Sequence, residues 1–316
     1  MPSLPIPALI ALASAVAWGG GDFCGGLGVR AAGGSTSAAL RFVVLAHALS
    51  LVVLLAILAR LRGPLQLDSM HWGAPAVWAV AGGMAGGLGL VAFYIALSRG
   101  AMGAAAALSG LLAAAIPAVV SSVLEGAPRM LTLAGFAMAA IAIWMIAAGD
   151  SPENTDNSGT TLALAALGGV GFGLYYVALR FANPLGLVVP MALARSGSLL
   201  VCLPLLGAMV LGGRASKKQI LPLRAAQGQE DKPKKSWLRW TVVGWVLGAG
   251  LLDTGGNMLF VAATRLGRLD VAAVLGSLYP AATILLAAWH LHERPTRRQL
   301  VGMAAALAAV VMITVG

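Results

Sequence analysis

The chain has 316 residues, of which 59% are hydrophobic and only 10% charged. Typical soluble domains carry roughly 45–50% apolar and about 25% charged residues, so this composition excludes a water-soluble surface of ordinary make-up. The formal charge of +10 does not imply a nucleic-acid partner, because eight of the 21 basic residues crowd into one segment between apolar blocks.

Ten apolar blocks follow one another, at 6–28, 37–58, 74–97, 104–124, 130–148, 161–179, 190–211, 240–263, 271–289 and 299–315. Most reach the ~20 residues that a helix needs to cross ~30 Å of hydrocarbon. In lipid each backbone donor and acceptor must be satisfied within the segment, so the blocks read as helices. Strict alternation, the mark of membrane β-barrel strands, is absent. The expected fold is all-α, a polytopic membrane protein of ten transmembrane helices.

The first block contains Ala15-Val16-Ala17, which looks like a signal cleavage site. The first basic residue is Arg30, so the positive region of a signal peptide is missing and the block reads as a span. Cys24 and Cys202 fall inside spans, make no metal spacing, and read as small packing residues. The basic segment holds Arg214, Lys217, Lys218, Arg224, Lys232, Lys234, Lys235 and Arg239, with Trp237 and Trp240 at its end. It reads as a juxtamembrane loop near anionic headgroups, anchored by tryptophan. The partners implied are a small-molecule solute and membrane lipid, with no nucleic acid.

One stretch is acidic and polar, Gly149 to Thr160, and it reads as a linker. Five spans lie on each side of it. Arg41 in the second span aligns with Arg195 in the seventh. Residues 92–100, AFYIALSRG, align with 259–267, LFVAATRLG, matching Arg99 to Arg265. Residues 108–128 align with 276–295, matching Glu125 to Glu293. Three matches in one order mean duplication. The expected domains are a first five-helix repeat at 1–149, a linker at 150–160, and a second repeat at 161–316. Five is odd, so the second copy enters the membrane from the opposite side. Such inverted-topology repeats hold a solute near the midplane and rock to give alternating access.

Several stretches carry a family resemblance. They are Trp18-Gly19 through Asp22-Phe23, Gly250 through Ala263, Ser277 through Ala281, and Glu293-Arg294-Pro295-Thr296 with Gly302 soon after. In this order they resemble the EamA-domain family of the drug/metabolite transporter superfamily over nearly the whole chain. The resemblance implies ten helices, a central cavity, an inner (plasma) membrane location, and efflux or uptake of small metabolites. The Glu125 loop reads EGAPRM and lacks the basic residue that Arg294 supplies after Glu293.

Ionisable groups at membrane depth cost roughly 2.5–3.5 kcal/mol on insertion scales, so they are the first functional candidates. Asp253 and Asn257 are four residues apart on one helical face, beside Gly255 and Gly256. They read as a polar spot facing a cavity, or as a structural bond between helices. Asp22 either carries a proton or meets a cationic solute, or it pairs with an arginine of a neighbouring helix. Arg41 and Arg195 lie near span starts, where arginine snorkels to the interface, or they guard the cavity mouths.

Among the tyrosines Tyr279 is a substrate candidate, since Pro280 after it removes a backbone donor and kinks a helix. Pro117 is a second candidate kink. Tyr94 is a candidate for the cavity mouth, and Tyr175 and Tyr176 for its lining. His47, His290 and His292 have no zinc-site spacing and read as non-ligands. The expected metal and cofactor sets are empty. Glycine pairs four apart (Gly82/Gly86, Gly83/Gly87, Gly21/Gly25, Gly169/Gly173, Gly244/Gly248) read as close helix-packing points rather than a phosphate loop.

Positive-inside counting conflicts with the cytoplasmic termini that the resemblance implies, with six arginines in even-numbered loops against thirteen basic residues in odd-numbered ones. The function expected is secondary transport, possible coupling to protons included. The rivals are a membrane enzyme acting on lipid, for which no constellation of catalytic groups is present in the sequence, and a non-transporting scaffold.

Overall fold

The computed structural model describes residues 5–61, 72–98, 102–147, 158–226, 240–290 and 296–315. Its elements are α1 (Ile6–Ala31), α2 (Thr36–Leu61), α3 (Gly73–Ser98), α4 (Met102–Leu124), α5 (Met130–Ala147), α6 (Ser158–Ala182), a 3-10 turn (Asn183–Leu185), α7 (Val188–Ala226), α8 (Trp240–Leu266), α9 (Leu269–Gly276), α10 (Tyr279–His290) and α11 (Arg297–Val315). Among the described residues there are only helices and turns. Eight helical stretches are long and apolar enough to cross a membrane, Leu269–His290 being one of them. Leu108–Leu124 and Met130–Ile146 are apolar but shorter.

Each of the ten expected blocks contains helix, with three differences from the sequence reading. The first is the ninth block, which is broken into α9 and α10 at Ser277-Leu278. Pro280 has no amide hydrogen to give the Gly276 carbonyl, so the ladder cannot run through. The chain tightens there instead, with Leu278 N bonding Leu275 O at 3.2 Å and Ala281 N bonding Leu278 O at 3.0 Å. Pro117, by contrast, sits within an unbroken α4.

The second difference is α7, whose 39 residues continue past the expected end at 211. At 1.5 Å per residue it is about 58 Å long, well beyond the hydrocarbon. Arg214, Lys217, Lys218 and Arg224 therefore lie on a helical extension and not in a loop. The third is at the linker, where α6 begins at Ser158 and absorbs its last residues. Residues 149–157, together with Arg99, Trp237, Arg239, His292, Glu293 and Arg294, lie outside the described residues.

Glycines set which helices touch. On α3 they form two faces. A methyl group on Gly82 would meet Ala178 of α6 at 2.5 Å, and Gly86 abuts Tyr175 of the same helix. Gly83 and Gly87 abut Ala194 and Ser198 of α7. One glycine-rich stretch thus wedges α3 between two partners. Gly169 and Gly173 of α6 seat α4 at Ser109, Leu112 and Ile116. Gly21 and Gly25 do not act as a pair, since Gly21 faces α8 and Gly25 faces Tyr94 of α3. Gly244 has open space beside it, while Gly248 meets Cys24.

A testable contrast follows. Gly83→Ala would drive its methyl into the Ala194 backbone carbonyl, which cannot yield as a side chain can. We expect it to lower stability in detergent by about 1–3 kcal/mol or more. Gly244→Ala is expected to be neutral or slightly stabilising, since glycine within a helix is about 1 kcal/mol worse than alanine. Thermal unfolding of the two purified variants checks this, and equal melting points would contradict the packing assigned to α3.

The helices α5 and α11 meet reciprocally. A methyl on Gly135 of α5 would touch Ile313 at 2.7 Å, and one on Gly302 of α11 would touch Ile146 at 2.9 Å. The beginning of each helix therefore lies against the end of the other, and the two run antiparallel. The helices α1 and α8 are also antiparallel: Ser14 bonds the Gly256 carbonyl at 2.8 Å, Gly21 abuts Asp253, and Cys24 abuts Gly248. The same holds for α3 and α6, through Gly82 with Ala178 and Gly89 with Gly168 and Gly171.

Candidate functional site

The polar centre forms where α2, α7 and α8 meet. Arg195 lies seven residues into α7, about 10 Å from its start. Its guanidinium is buried, with the residue 4% exposed. Nη2 donates to Asp253 Oδ2 of α8 at 2.5 Å. Nη1 donates to His47 Nε2 of α2 at 3.0 Å. A guanidinium only donates, so this His47 nitrogen accepts, which puts the ring proton on Nδ1. Nδ1–H then donates to Ser198 Oγ at 2.7 Å. His47 Nε2 also lies 3.7 Å from Asp253 Oδ2. Below this trio, Thr254 and Ser50 share a hydroxyl–hydroxyl bond of 2.7 Å, and Ser50 reaches the Gly250 carbonyl at 2.9 Å. The buried charge is thus both paired and hydrogen-bonded, as a low-dielectric setting requires.

This arrangement corrects the reading of Arg195. It neither snorkels to an interface nor sits at a cavity mouth, because a carboxylate on another helix offers it a partner at depth. Tyr94 is likewise buried, packed on Gly25 and on the Phe42 ring at 6.0 Å, rather than at a mouth. Arg41 is half-buried and stands apart from the cavity lining.

A cavity opens beside the trio, with about 40 Å³ available to the centres of water molecules. That is room for water molecules or a compact solute. Asp22, Asp253, Asn257 and Tyr279, the four expected substrate or proton residues, all line it. So do Trp18, His47, Phe172, Tyr175, Tyr176 and Arg195. Asn257 Nδ2 donates to the Asp253 carbonyl at 2.7 Å and to its Oδ1 at 3.1 Å, so these two do form one polar spot on α8. Asp22 has no ion-pair or hydrogen-bond partner among the described residues. The pairing with an arginine considered for Asp22 belongs instead to Asp253.

Aromatic rings wall the cavity. Trp18 stacks on Tyr176 at 4.9 Å with planes 10° apart, and Phe260 backs Tyr176 at 4.6 Å. Gly256 and Gly276 leave space for the indole, which a methyl on either would strike at 2.6 and 2.9 Å. Gly19 lets α1 close on the break before α10, where Thr283 donates to the Gly19 carbonyl at 3.1 Å. The hydroxyls of Tyr279 and Ser109 are buried near one another, and neither completes a hydrogen bond.

His47, Ser50, Ser198 and Thr254 were not among the expected site residues. A signal existed: His47 and Ser50 are three apart on one face of α2, and Thr254 adjoins Asp253. What the sequence could not supply was that these faces meet. Among the described residues no group of three His, Cys, Asp or Glu is placed to hold a metal ion.

A second polar cluster ties the face of the protein that holds the start of α1. Arg180 donates to Glu125 Oε1 at 3.3 and 3.2 Å, and Leu269 N donates to Glu125 Oε2 at 3.3 Å. Arg268 donates to the Glu125 and Gly126 carbonyls at 3.1 and 2.7 Å and pairs with the buried Asp270 at 2.8 Å. Arg265 donates to the Asn183 carbonyl. These contacts join the ends of α4, α6 and α8 to the start of α9.

Comparison with known proteins agrees with this architecture. No curated protein matches the sequence. One solved structure, titled only as the crystal structure of a protein, superimposes with a TM-score of 0.69. The alignment covers 99% of this chain and 98% of that one at 16% identity, which establishes a shared fold and nothing more. The model of the EamA-like transporter family matches residues 219–315, the stretch that holds α8 to α11. The chain is a multi-pass helical membrane protein whose residues 219–315 match the model of the EamA-like transporter family, consistent with the drug/metabolite transporter superfamily.

Proposed function

We propose that this protein is a secondary transporter that carries a small solute across the plasma (inner) membrane by alternating access between two inverted five-span halves, residues 1–149 and 161–316. The carrying observation is the cavity itself: a pocket with charged residues in its lining, drawn from both sides of the linker, and with one of its carboxylates, Asp22, left without a partner among the described residues. Ionisable groups at membrane depth mark solute and proton pathways.

The packing supports the ten-span, two-copy reading. Gly135, Met145 and Ile146 of α5 stand 167 positions before Gly302, Met312 and Ile313 of α11, and each set contacts the other. Equivalent helices that lie antiparallel are what inverted copies require. The break at Ser277-Leu278 beside the cavity supports it further, since discontinuous helices at the midplane serve as binding elements in such carriers. Asp22 is the group we assign to proton coupling, and Asp253 with Arg195 the pair that shapes the pocket.

The experiment is flux in proteoliposomes under an imposed proton or solute gradient, with a panel of small metabolites. The reading predicts that at least one solute moves with wild-type protein and that Asp22→Asn and Asp253→Asn each alter its rate. Flux unaltered by both substitutions, or no flux of any panel solute, would falsify it.

A further inference from the structure

We propose that the cavity takes a compact organic cation, a primary amine, with its ammonium between Asp22 and Asn257 Oδ1 and its apolar body against the aromatic side chains that wall the pocket. This rests on the transport reading above and names its substrate class.

The charge balance of the lining comes first. Arg195 is committed to Asp253 at 2.5 Å. Both ring nitrogens of His47 are used, by Arg195 and by Ser198. Asp253 Oδ1 takes the Asn257 amide. What remains is Asp22, an acid with no counter-charge assigned to it. Asp22 shares the cavity lining with Asp253, Asn257, Tyr176 and Tyr279, and beyond these with Arg195, whose charge is met by Asp253.

The second observation is an orphaned acceptor. Asn257 is 1% exposed, and its Nδ2 donates to two oxygens of Asp253. Turning the amide over would set oxygen against oxygen, so its orientation is fixed by its partners. Oδ1 is then left buried with nothing donating to it. A buried acceptor without a partner is an expensive state that a ligand N–H relieves. A carboxylate and a carbonyl oxygen together are the chemistry that accepts the N–H donors of an ammonium group.

Two donors are also unpartnered, Arg195 Nε and the Tyr279 hydroxyl. A zwitterion would use both ends of the pocket. The charge on Arg195 is already met by Asp253, so a ligand carboxylate would have to compete with it. Size decides against a drug-like molecule in this conformation. Drug-sized sites measure about 300–1,000 Å³, against about 40 Å³ for this cavity, which favours a compact ligand.

The test is calorimetric titration of the full chain in detergent with isobutylamine, its neutral isostere isobutanol, and valine, which adds a carboxylate to the same body. We expect isobutylamine to bind at least ten-fold more tightly than either of the others. We also expect Asp22→Asn and Asn257→Leu each to weaken it at least ten-fold. Tighter binding of valine or isobutanol by wild-type protein overturns the cation assignment and needs no variant. Wild-type affinity in a folded Asp22→Asn protein overturns it too. The two readings fail separately: a panel solute that moves while isobutylamine does not bind sinks the cation alone, and an amine that binds while nothing moves sinks transport alone.

Discussion

Replacing Arg195 with methionine is expected to lower the stability of the folded protein in detergent by about 3–5 kcal/mol, because it leaves the Asp253 carboxylate buried without its counter-charge. Methionine fills a similar volume, so the loss isolates charge from packing. The same reasoning predicts partial rescue. In the double variant Arg195→Met with Asp253→Leu, both charges are gone and nothing is left uncompensated. Its melting point is expected to lie above that of either single variant, and near wild type if the remaining His47 and Thr254 bonds re-form. Transport is not expected to return with stability, since the pocket has lost its polar wall. A double variant no more stable than Arg195→Met would show that the pair is not an isolated electrostatic unit.

Asp22→Asn is expected to do the reverse. Asp22 has no partner among the described residues, so an isosteric amide removes a group that must be solvated at depth while breaking no contact. Stability is expected to hold or to rise by about 1 kcal/mol. Solute flux is expected to fall at least a hundred-fold, to the level of empty liposomes. The two readouts together separate function from structure, because a structural carboxylate would lose stability first. Loss of several kcal/mol with flux preserved would make Asp22 a packing residue and would return the coupling role to Asp253.

Much of the fold could be read from the residues because the membrane enforces it. A run of ~20 apolar residues has no solution in lipid but a helix, so the spans follow from composition. Pro280 marks a point where the ladder loses a bond, but proline alone does not decide a break, since Pro117 sits within an unbroken α4. The length of α7 was hidden, because Gly212, Gly213 and Pro222 are poor helix formers and the basic residues among them suit a loop as well as a helix. In the site, Asp253 and Asn257 were legible because four residues in a helix share a face. The role of Arg195 was not legible. Its position near a span start suits snorkelling equally well, and only the approach of α8 decides for burial. The hydrogen-bonding role of His47 was not legible for the same reason: a single histidine has no pattern, and its partners Arg195 and Ser198 lie 148 and 151 positions away.

The central claim is a pocket that opens to each side of the membrane in turn. Its most direct test uses Phe172, which lines the cavity without belonging to the ion cluster. The chain has only two cysteines, so Cys24→Ser and Cys202→Ala give a background without thiols. Phe172→Cys in that background, in sealed vesicles of either orientation, is exposed to a membrane-impermeant thiol reagent. Alternating access predicts labelling from both faces, with the balance between them shifted by a proton gradient. Labelling confined to one face under every gradient would contradict it.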